Sequence, residues 1–490
     1  MQISTLPTKR EIAQMLAEFW TPHLRSCEDL FKHLEYVDKS SKEIRADALR
    51  IEFLRYDAEL AKQVPEDWRF KEYRKRTIIT LAGKITYMRR IYTEPCGICH
   101  ALLDEVLGIR TRRCLAPDAF LWVAKMAADI SFRKTAKAFF ERTGAKISHW
   151  LVMSVIREEG ALILEELYSG LVSKNRTAAM KPSLRLSSDV LFVEYDGIHI
   201  SLQKPVHEQK RPRRIYEKNR HRTSFELKVA CAYVGKDDKG RRGGTIHVAL
   251  DEQPVYFWPL LTARIAQSYV PKDIQAIYAS HDAAGWCKNN RLDMLAPAAK
   301  VICHLDAYHI NRECRRAFGP GKAASHVIRL VYARRIKKLF SVLQRVIAHA
   351  KKGSERRRYL ELHDYLKNNA ALIECGLSPS MGTMEGTNAH VYAARMKVWG
   401  GAWSRAGACA MALVRARMAS GQDLIVPKPD NVMLTEVQQT RRREWEQSQL
   451  SGKWHIAESS GTGYEPPQGS VVLTTRMAPE MYGWLCCPKL

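Results

Sequence analysis

Between residues 187 and 310 the hydrophobic period of the chain switches repeatedly, and this alternation narrows the fold more than any other feature. SDVLFVEYDGIHISL reads as a strand pair, SFELKVACAYVG as a further strand and GGTIHVAL as another. PVYFWPLLTARIAQSY has a helical pattern, QAIYASHD is a strand again, and AAKVICHLDAYHI is a strand running into a helix. Strands interleaved with helices in this way imply an α/β layer structure. Two of the apolar runs end on an acid: Asp196 terminates LFVEYD and Asp282 terminates AIYASHD. A third acid, Glu385, lies in MEGTNAH, which reads as the start of a last helix over roughly 384–418. A carboxylate at the end of a core strand is costly unless it is hydrogen-bonded or paired with a cation.

The order of these pieces is strands with Asp196 on the first, a helix, a strand ending in Asp282, and Glu385 on a later helix. That order matches an α/β core of ribonuclease H-like type, with a helical insertion before the final acid. Three carboxylates drawn from distant segments can converge on hard divalent cations, which take oxygen ligands. A plainer reading stands beside this one, because Asp-Gly after a strand is often only a turn and a lone Asp is often a cap. The insertion, residues 311–376, is helical and basic. Val331, Ile336, Leu339, Phe340, Leu343, Val346 and Ile347 form an apolar stripe. Arg334, Arg335, Lys337, Lys338, Lys351, Lys352, Arg356, Arg357 and Arg358 lie around it.

Charge then indicates the partner. The 78 Lys and Arg exceed the 52 Asp and Glu, for a net +26. A chain this basic is suited to a polyanion, because neutralised phosphates release their counterions. The loop 203–222, QKPVHEQKRPRRIYEKNRHR, follows the first acidic strand directly. Its Arg211, Arg213, Arg214 and Arg220 are candidate phosphate contacts, as are Arg395 and Lys397 beyond Glu385. No run approaches about 18 uncharged apolar residues, so no membrane-spanning helix is expected. The N-terminus lacks the apolar core of a secretory signal. Twelve cysteines, several of them inside apolar segments, suggest reduced thiols and a cytoplasmic, nucleoid-associated protein.

The first 70 residues read as a helical region, with Ile12, Met15, Leu16 and Phe19 at helical spacing. Residues 71–180 read as a β-hairpin around Ala82-Gly83-Lys84 followed by a helix-turn-helix-like DNA-binding region. Ser131 caps FRKTAKAFFER there, Thr143-Gly144-Ala145 turns, and Ser148 caps HWLVMSVIREE. The core proper is placed at 185–310, its final helix at 377–425, and a C-terminal helix with a loose tail at 426–490. Within CHLDAYHINREC, Asp306 and His309 would share a helix face and support an active site. The spacing there fits no standard zinc finger, and Cys96-x-x-Cys99 lacks a second ligand pair, so zinc is not expected.

These segments together resemble the ISLre-type insertion-sequence transposases, relatives of the Mutator-like DDE transposases. RTIITLAGKITYMRRIY and LLDEVLGI resemble that family's N-terminal region, and ISFRKTAKAFFERTGAKIS its helical segment. VEYDGIHISLQ and IYASHDAAGWCK resemble the segments bearing its first two acids, and HLDAYHINR its Asp-x-x-His element. MEGTNAHVYAARMKVWGGAWSRAGACAMALVR resembles its C-terminal block. The resemblance implies catalysis by Asp196, Asp282 and Glu385 with two magnesium or manganese ions. It also implies cleavage and strand transfer of double-stranded DNA at the element's terminal repeats, joining to target DNA, and homo-oligomers assembled on DNA. Where that family usually has Gly-Asp-Gly-Ala, this chain has His281-Asp282-Ala283-Ala284. A catalytically inactive DNA-binding derivative and a structure-specific nuclease without strand transfer are the alternatives.

Overall fold

The computed structural model describes residues 8–109, 113–172, 185–203, 224–376, 381–382, 384–398 and 401–427. The basic loop with Arg211, Arg213, Arg214 and Arg220, and the expected C-terminal helix and tail, lie outside these residues. The described chain is mixed α/β and falls into two compact units. The first comprises Met1–Ala127 and Ser131–Val152, the second Ala128–Ile130 and Met153–Ile425.

In the first unit, α1 (Lys9–Ser26) and α2 (Leu30–Leu60) form a hairpin of helices. Thr8 and Glu11 make a capping box on α1, and the Asp29 side chain accepts from Lys32 N on α2. The expected β-hairpin follows as β1 (Arg69–Thr80) and β2 (Gly83–Thr93), antiparallel with Thr80 opposite Gly83. Gly83 has φ +117°, which a side chain would strain. A short β3 (Cys99–His100) pairs with β2, and α3 (Leu102–Val106) closes the layer. Leu60, Ile78, Ile85, Tyr87 and Leu103 form its core.

Next come α4 (Pro117–Asp129), α5 (Phe132–Thr143) and α6 (His149–Val172). Ser131 caps α5 by accepting from Lys134 N, Gly144 ends it at φ +71°, and Ser148 Oγ accepts from Leu151 N at the start of α6. The division between the units falls within α4 and α6.

The second unit is built on five strands. They are β4 (Val190–Ser201), β5 (Ser224–Tyr233), β6 (Ile246–Leu250), β7 (Ala276–His281) and β8 (Lys300–Leu305), in the order β6-β5-β4-β7-β8. The pairs β6/β5 and β5/β4 are antiparallel, whereas β4/β7 and β7/β8 are parallel. Helix α7 (Pro254–Ser268) covers one face, its Trp258 meeting Tyr195 edge-on at 5.0 Å. On the other face Tyr233, Phe192, Tyr278 and His304 stack side by side across four strands.

Two sequence expectations are corrected here. SDVLFVEYDGIHISL is one strand and not a pair, since β4 runs straight through Asp196-Gly197 and pairs with β5 from Phe192 to Ser201. Gly197 serves close approach rather than a turn, because a Cβ there would collide with the Glu226 side chain on β5. The single last helix is broken. Residues Met384–Thr387 are α-helical, Asn388–Ala393 form a π turn and Ala394–Met396 return to α, but the chain leaves helix before α12 (Arg405–Ala419). In between, Trp403 bonds the end of β4, donating to Ser201 O at 3.0 Å and accepting from Gln203 N at 2.8 Å. Ser404 then caps the new helix.

After β8 come α8 (Ala307–Phe318), α9 (Lys322–Tyr332), α10 (Ile336–His349) and α11 (Gly353–Asn368), followed by a short helix at Ala370–Glu374. Ile310, Val327, Val331, Leu339, Leu343 and Leu362 make their shared core. The expected apolar stripe is therefore split over two helices, and the break sits at Arg334, whose φ is +53°.

Candidate active site

The two parallel ladders run out together on acids, within β4 and just past the ends of β7 and β8. The last β4/β7 pair is Glu194 with Ser280, and two residues further lie Asp196 and Asp282. The last β7/β8 pair is His281 with Leu305, and the next positions are Asp282 and Asp306, with Asp306 N donating to His281 O at 2.9 Å. Side chains alternate along a strand, so continuing both registers sets Asp196, Asp282 and Asp306 at one level and on one face. That is the face carrying Glu194, Ser280 and His304.

Each acid is held differently. Asp196 is buried, and its Oδ2 accepts from Asn388 Nδ2 at 2.8 Å. Asp282, just past the end of β7, accepts from Ala284 N at 2.9 Å. The intervening Ala283 sits at φ +67°, the left-handed region that glycine enters without penalty. The glycine missing from the His281-Asp282-Ala283 sequence is therefore missing where the backbone turns. Asp306 caps α8 by accepting from Tyr308 N at 2.7 Å, and burial pushes its carboxyl up to about 6. An acid engaged as a helix cap already has one oxygen committed to Tyr308 N, which suits it to supporting a site rather than serving as its main ligand.

His309, on the first turn of α8, places Nε2 3.9 Å from Asp196 Oδ2, a charge contact too long for a hydrogen bond. Burial works against a charged imidazole there, but the Asp196 and Asp306 carboxylates outweigh it and raise the pKa. His281 points the other way. Burial against Tyr195 pushes it down to about 4, leaving a neutral ring whose Nδ1 accepts from Ala283 N at 3.0 Å.

Glu385 is exposed and stands three residues before Asn388 on the same helical segment, hence on a shared face. What fastens that segment to the sheet is a residue that motif reading passed over. Glu194 is fully buried; it accepts from Tyr233 Oη at 2.6 Å, from Gly382 N at 3.0 Å and from Met384 N at 3.2 Å. Arg242 reaches the same segment, donating to Thr387 Oγ1 at 3.0 Å. The signal for Glu194 was present in LFVEYD, where two acids alternate on one face of an otherwise apolar strand.

The donor set suits a hard cation. Among the described residues no lysine or arginine lies within 4 Å of Asp196, Asp282, Asp306 or Glu385. Asn388 Oδ1, beside Asp196, is buried without a hydrogen-bond donor. An orphaned oxygen next to a carboxylate without a lysine or arginine partner is what a magnesium or manganese ion would satisfy.

Of the candidate phosphate contacts, Arg334, Arg335, Lys337, Lys338, Arg356, Arg357, Arg358 and Lys397 are exposed. Arg395 is corrected: it is buried, with its guanidinium 5.0 Å over the Trp403 ring, and burial lowers it to about 10. Its guanidinium packs against Trp403 instead of facing solvent. The Cys96/Cys99 region forms an ion network, with His100 between Glu94 at 2.7 Å and Glu105 at 3.1 Å. Among the described residues no helix is long and apolar enough to cross a membrane.

No curated protein matches the chain. A family model described as "Uncharacterised protein family (UPF0236)" matches residues 30–427, which is most of its length. The chain therefore belongs to the uncharacterised protein family UPF0236.

Proposed function

We propose that the second unit is a ribonuclease H-like nuclease core and that the protein is a DDE-type DNA transposase, cutting and joining DNA at the ends of a mobile insertion element. The observation that carries this reading is the shared level of Asp196, Asp282 and Asp306 where the parallel ladders run out, with the Glu385 segment tied down by Glu194 and Asn388. The strand order, with two antiparallel strands beside three parallel ones, supports the fold assignment.

Asp196, Asp282 and Glu385 would hold two magnesium or manganese ions, which supply activation of an attacking oxygen and charge stabilisation of the leaving oxygen. The protein's own groups do the rest. Asn388 fixes the Asp196 carboxylate while its own Oδ1 stays available. His309 offsets part of the acidic charge without a hydrogen bond to Asp196 Oδ2. Glu194 holds the backbone before Glu385, and so sets where that exposed carboxylate stands. The exposed cations of α10 and α11 face solvent as a phosphate-binding surface would.

The test uses full-length protein, duplexes bearing the element ends and a target duplex. Asp196→Asn is expected to abolish magnesium-dependent cleavage and joining by at least about a thousandfold, ~4 kcal/mol of barrier, while duplex affinity is kept. Parallel loss of binding in the folded variant would count against a catalytic role. Cleavage without joining would mark a nuclease, and binding alone an inactive derivative. Changing Arg356, Arg357 and Arg358 to Ala should weaken all duplexes alike and flatten the salt dependence by a slope of about 0.9 per lost contact.

A further inference from the structure

Far along the chain from these acids, the α1/α2 hairpin gathers three soft ligands. His23 Nδ1 and His33 Nδ1 face each other at 3.2 Å, and Cys27 Sγ completes a set whose ligand atoms all lie within 4.8 Å of one another. His23 is on α1, Cys27 is its C-cap, and His33 is on the first turn of α2. With Zn–N near 2.1 Å and Zn–S near 2.3 Å, two nitrogens on one tetrahedral ion stand about 3.4 Å apart. The two imidazoles already hold nearly that separation. The thiol donates only weakly, to Leu24 O at 3.4 Å and Asp29 O at 3.3 Å, so little is lost when it turns inward as a thiolate.

The surroundings fit a ligand site. His33 is buried, and the His23 ring is stacked on Tyr36 at 3.9 Å and 4°, which fixes its orientation. The hairpin has little apolar packing to close it. No residue of α1 is buried, and Met15 and Phe19 are more than half exposed. Trp20 Nε1 donating to Ser40 Oγ at 2.8 Å is a polar tie between the two helices. An element that buries so little apolar surface gains most from a cross-link. The His-x3-Cys-x5-His spacing matches no standard finger, so the sequence alone did not reveal the set.

We propose that His23, Cys27 and His33 bind one zinc ion that staples α1 to α2, with solvent at the fourth position. The site is separate from the acidic one and does not depend on its assignment. Imidazole with thiolate selects zinc, whereas magnesium and manganese prefer oxygen.

The test takes the full chain, stripped with a chelator and titrated with zinc or cobalt alone. One equivalent of zinc should bind and raise the thermal midpoint, and cobalt should give a thiolate-to-metal charge-transfer band that carboxylate sites cannot produce. Cys27→Ser should remove that band, weaken zinc by at least about tenfold and abolish the thermal response. His23→Asn, at a partly exposed position, should also weaken zinc. The Cys96→Ser/Cys99→Ser double variant should leave band and stoichiometry unchanged. No thiolate band, a band that survives Cys27→Ser, or one that follows Cys96 and Cys99 instead would overturn the site.

Discussion

Both units bury acids in basic surroundings, and they treat them in opposite ways. In the first unit each is matched by the chain itself. Asp57 pairs with Arg90 at 2.6 Å; Asp104 meets Arg89 at 2.7 Å and Tyr87 Oη at 2.8 Å; and Glu94 and Glu105 clasp His100. In the second unit, Asp196, Asp282 and Glu385 have backbone, amide, thiol or imidazole neighbours, or solvent, where a guanidinium could have stood. The sequence supplies 78 basic residues, so the lack of a lysine or arginine near those three among the described residues is not a shortage. Acids that carry their own guanidinium hold a fold together, whereas acids placed without one leave room for the cation that the proposed function calls for.

The largest effects should separate the two kinds. Asp196→Asn should leave unfolding unchanged or slightly harder, because it removes one member of an acidic cluster, even as it ends the chemistry. Asp104→Asn should do the reverse. It strands Arg89, which is buried, and should cost about 3 kcal/mol in denaturant unfolding with DNA cleavage intact in the protein that remains folded. Burial already lifts the Asp104 carboxyl above its usual range despite two guanidiniums, so the ion pair itself adds little net stability. Adding Arg89→Met to Asp104→Asn should therefore recover much of the loss. A double variant as unstable as the single one would show that the pair holds the fold by charge and not by filling space.

A third buried acid sharpens the rule through pH. Glu159 on α6 is fully buried, with Oε1 accepting from Ile425 N at 2.8 Å and Oε2 without a partner. Burial pushes its carboxyl up to about 7, against the opposing Ile425 N–H and the Arg417 charge. Below about pH 4.5 the group is protonated in both the folded and the unfolded chain. Between about pH 4.5 and 7 only the unfolded chain ionises, so stability on the order of 3 kcal/mol is lost over that window. The loss is complete once the folded group ionises above about 7. Unfolding at pH 5 and pH 8 should show this decline in the wild type, and Glu159→Gln should lack it. Equal slopes would mean that Glu159 is ionised and paired like the acids of the first unit.

How much of this was legible from sequence follows from the range of each signal. Period and caps are local, so the hairpin at Gly83, the Ser131 and Ser148 caps and the strand-helix order from Val190 to Phe318 could be read directly. Asp196 and Asp282 stood out because a carboxylate ending an apolar run is expensive wherever it lies. Asp-Gly looked like a turn because the pair favours one, and only the full β5 ladder, with Glu226 crossing over Gly197, holds that backbone straight. Glu194 was hidden by its role, since its partners are backbone N–H groups at Gly382 and Met384 that carry no side-chain signature. Arg395 misled for a similar reason. A cation two residues from another reads as surface until Trp403 is seen to cover it.

The smallest expected effect bears on the one place where the acidic site departs from its resemblance. Ala283 holds φ +67° directly after Asp282, and a Cβ in that region costs about 1–2 kcal/mol. Replacing it with glycine removes that strain, but returns about 0.4–1 kcal/mol of backbone freedom to the unfolded chain. Ala283→Gly should therefore stabilise the protein by a net of about 0.5 kcal/mol. The same change at Ala48, exposed within α2 of the first unit, should destabilise by about 1 kcal/mol, because there the backbone is ordinary helix. The opposite signs are the measurement, read as paired shifts in denaturant midpoint at unchanged slope. If Ala283→Gly also raises the cleavage rate, the strained turn is holding Asp282 slightly out of place. If stability rises and the rate does not, the strain is confined to the backbone and the carboxylate is already where its ligand needs it. A loss of stability at Ala283 comparable to that at Ala48 would mean the turn is not left-handed, and the glycine of the resembled pattern would need another explanation.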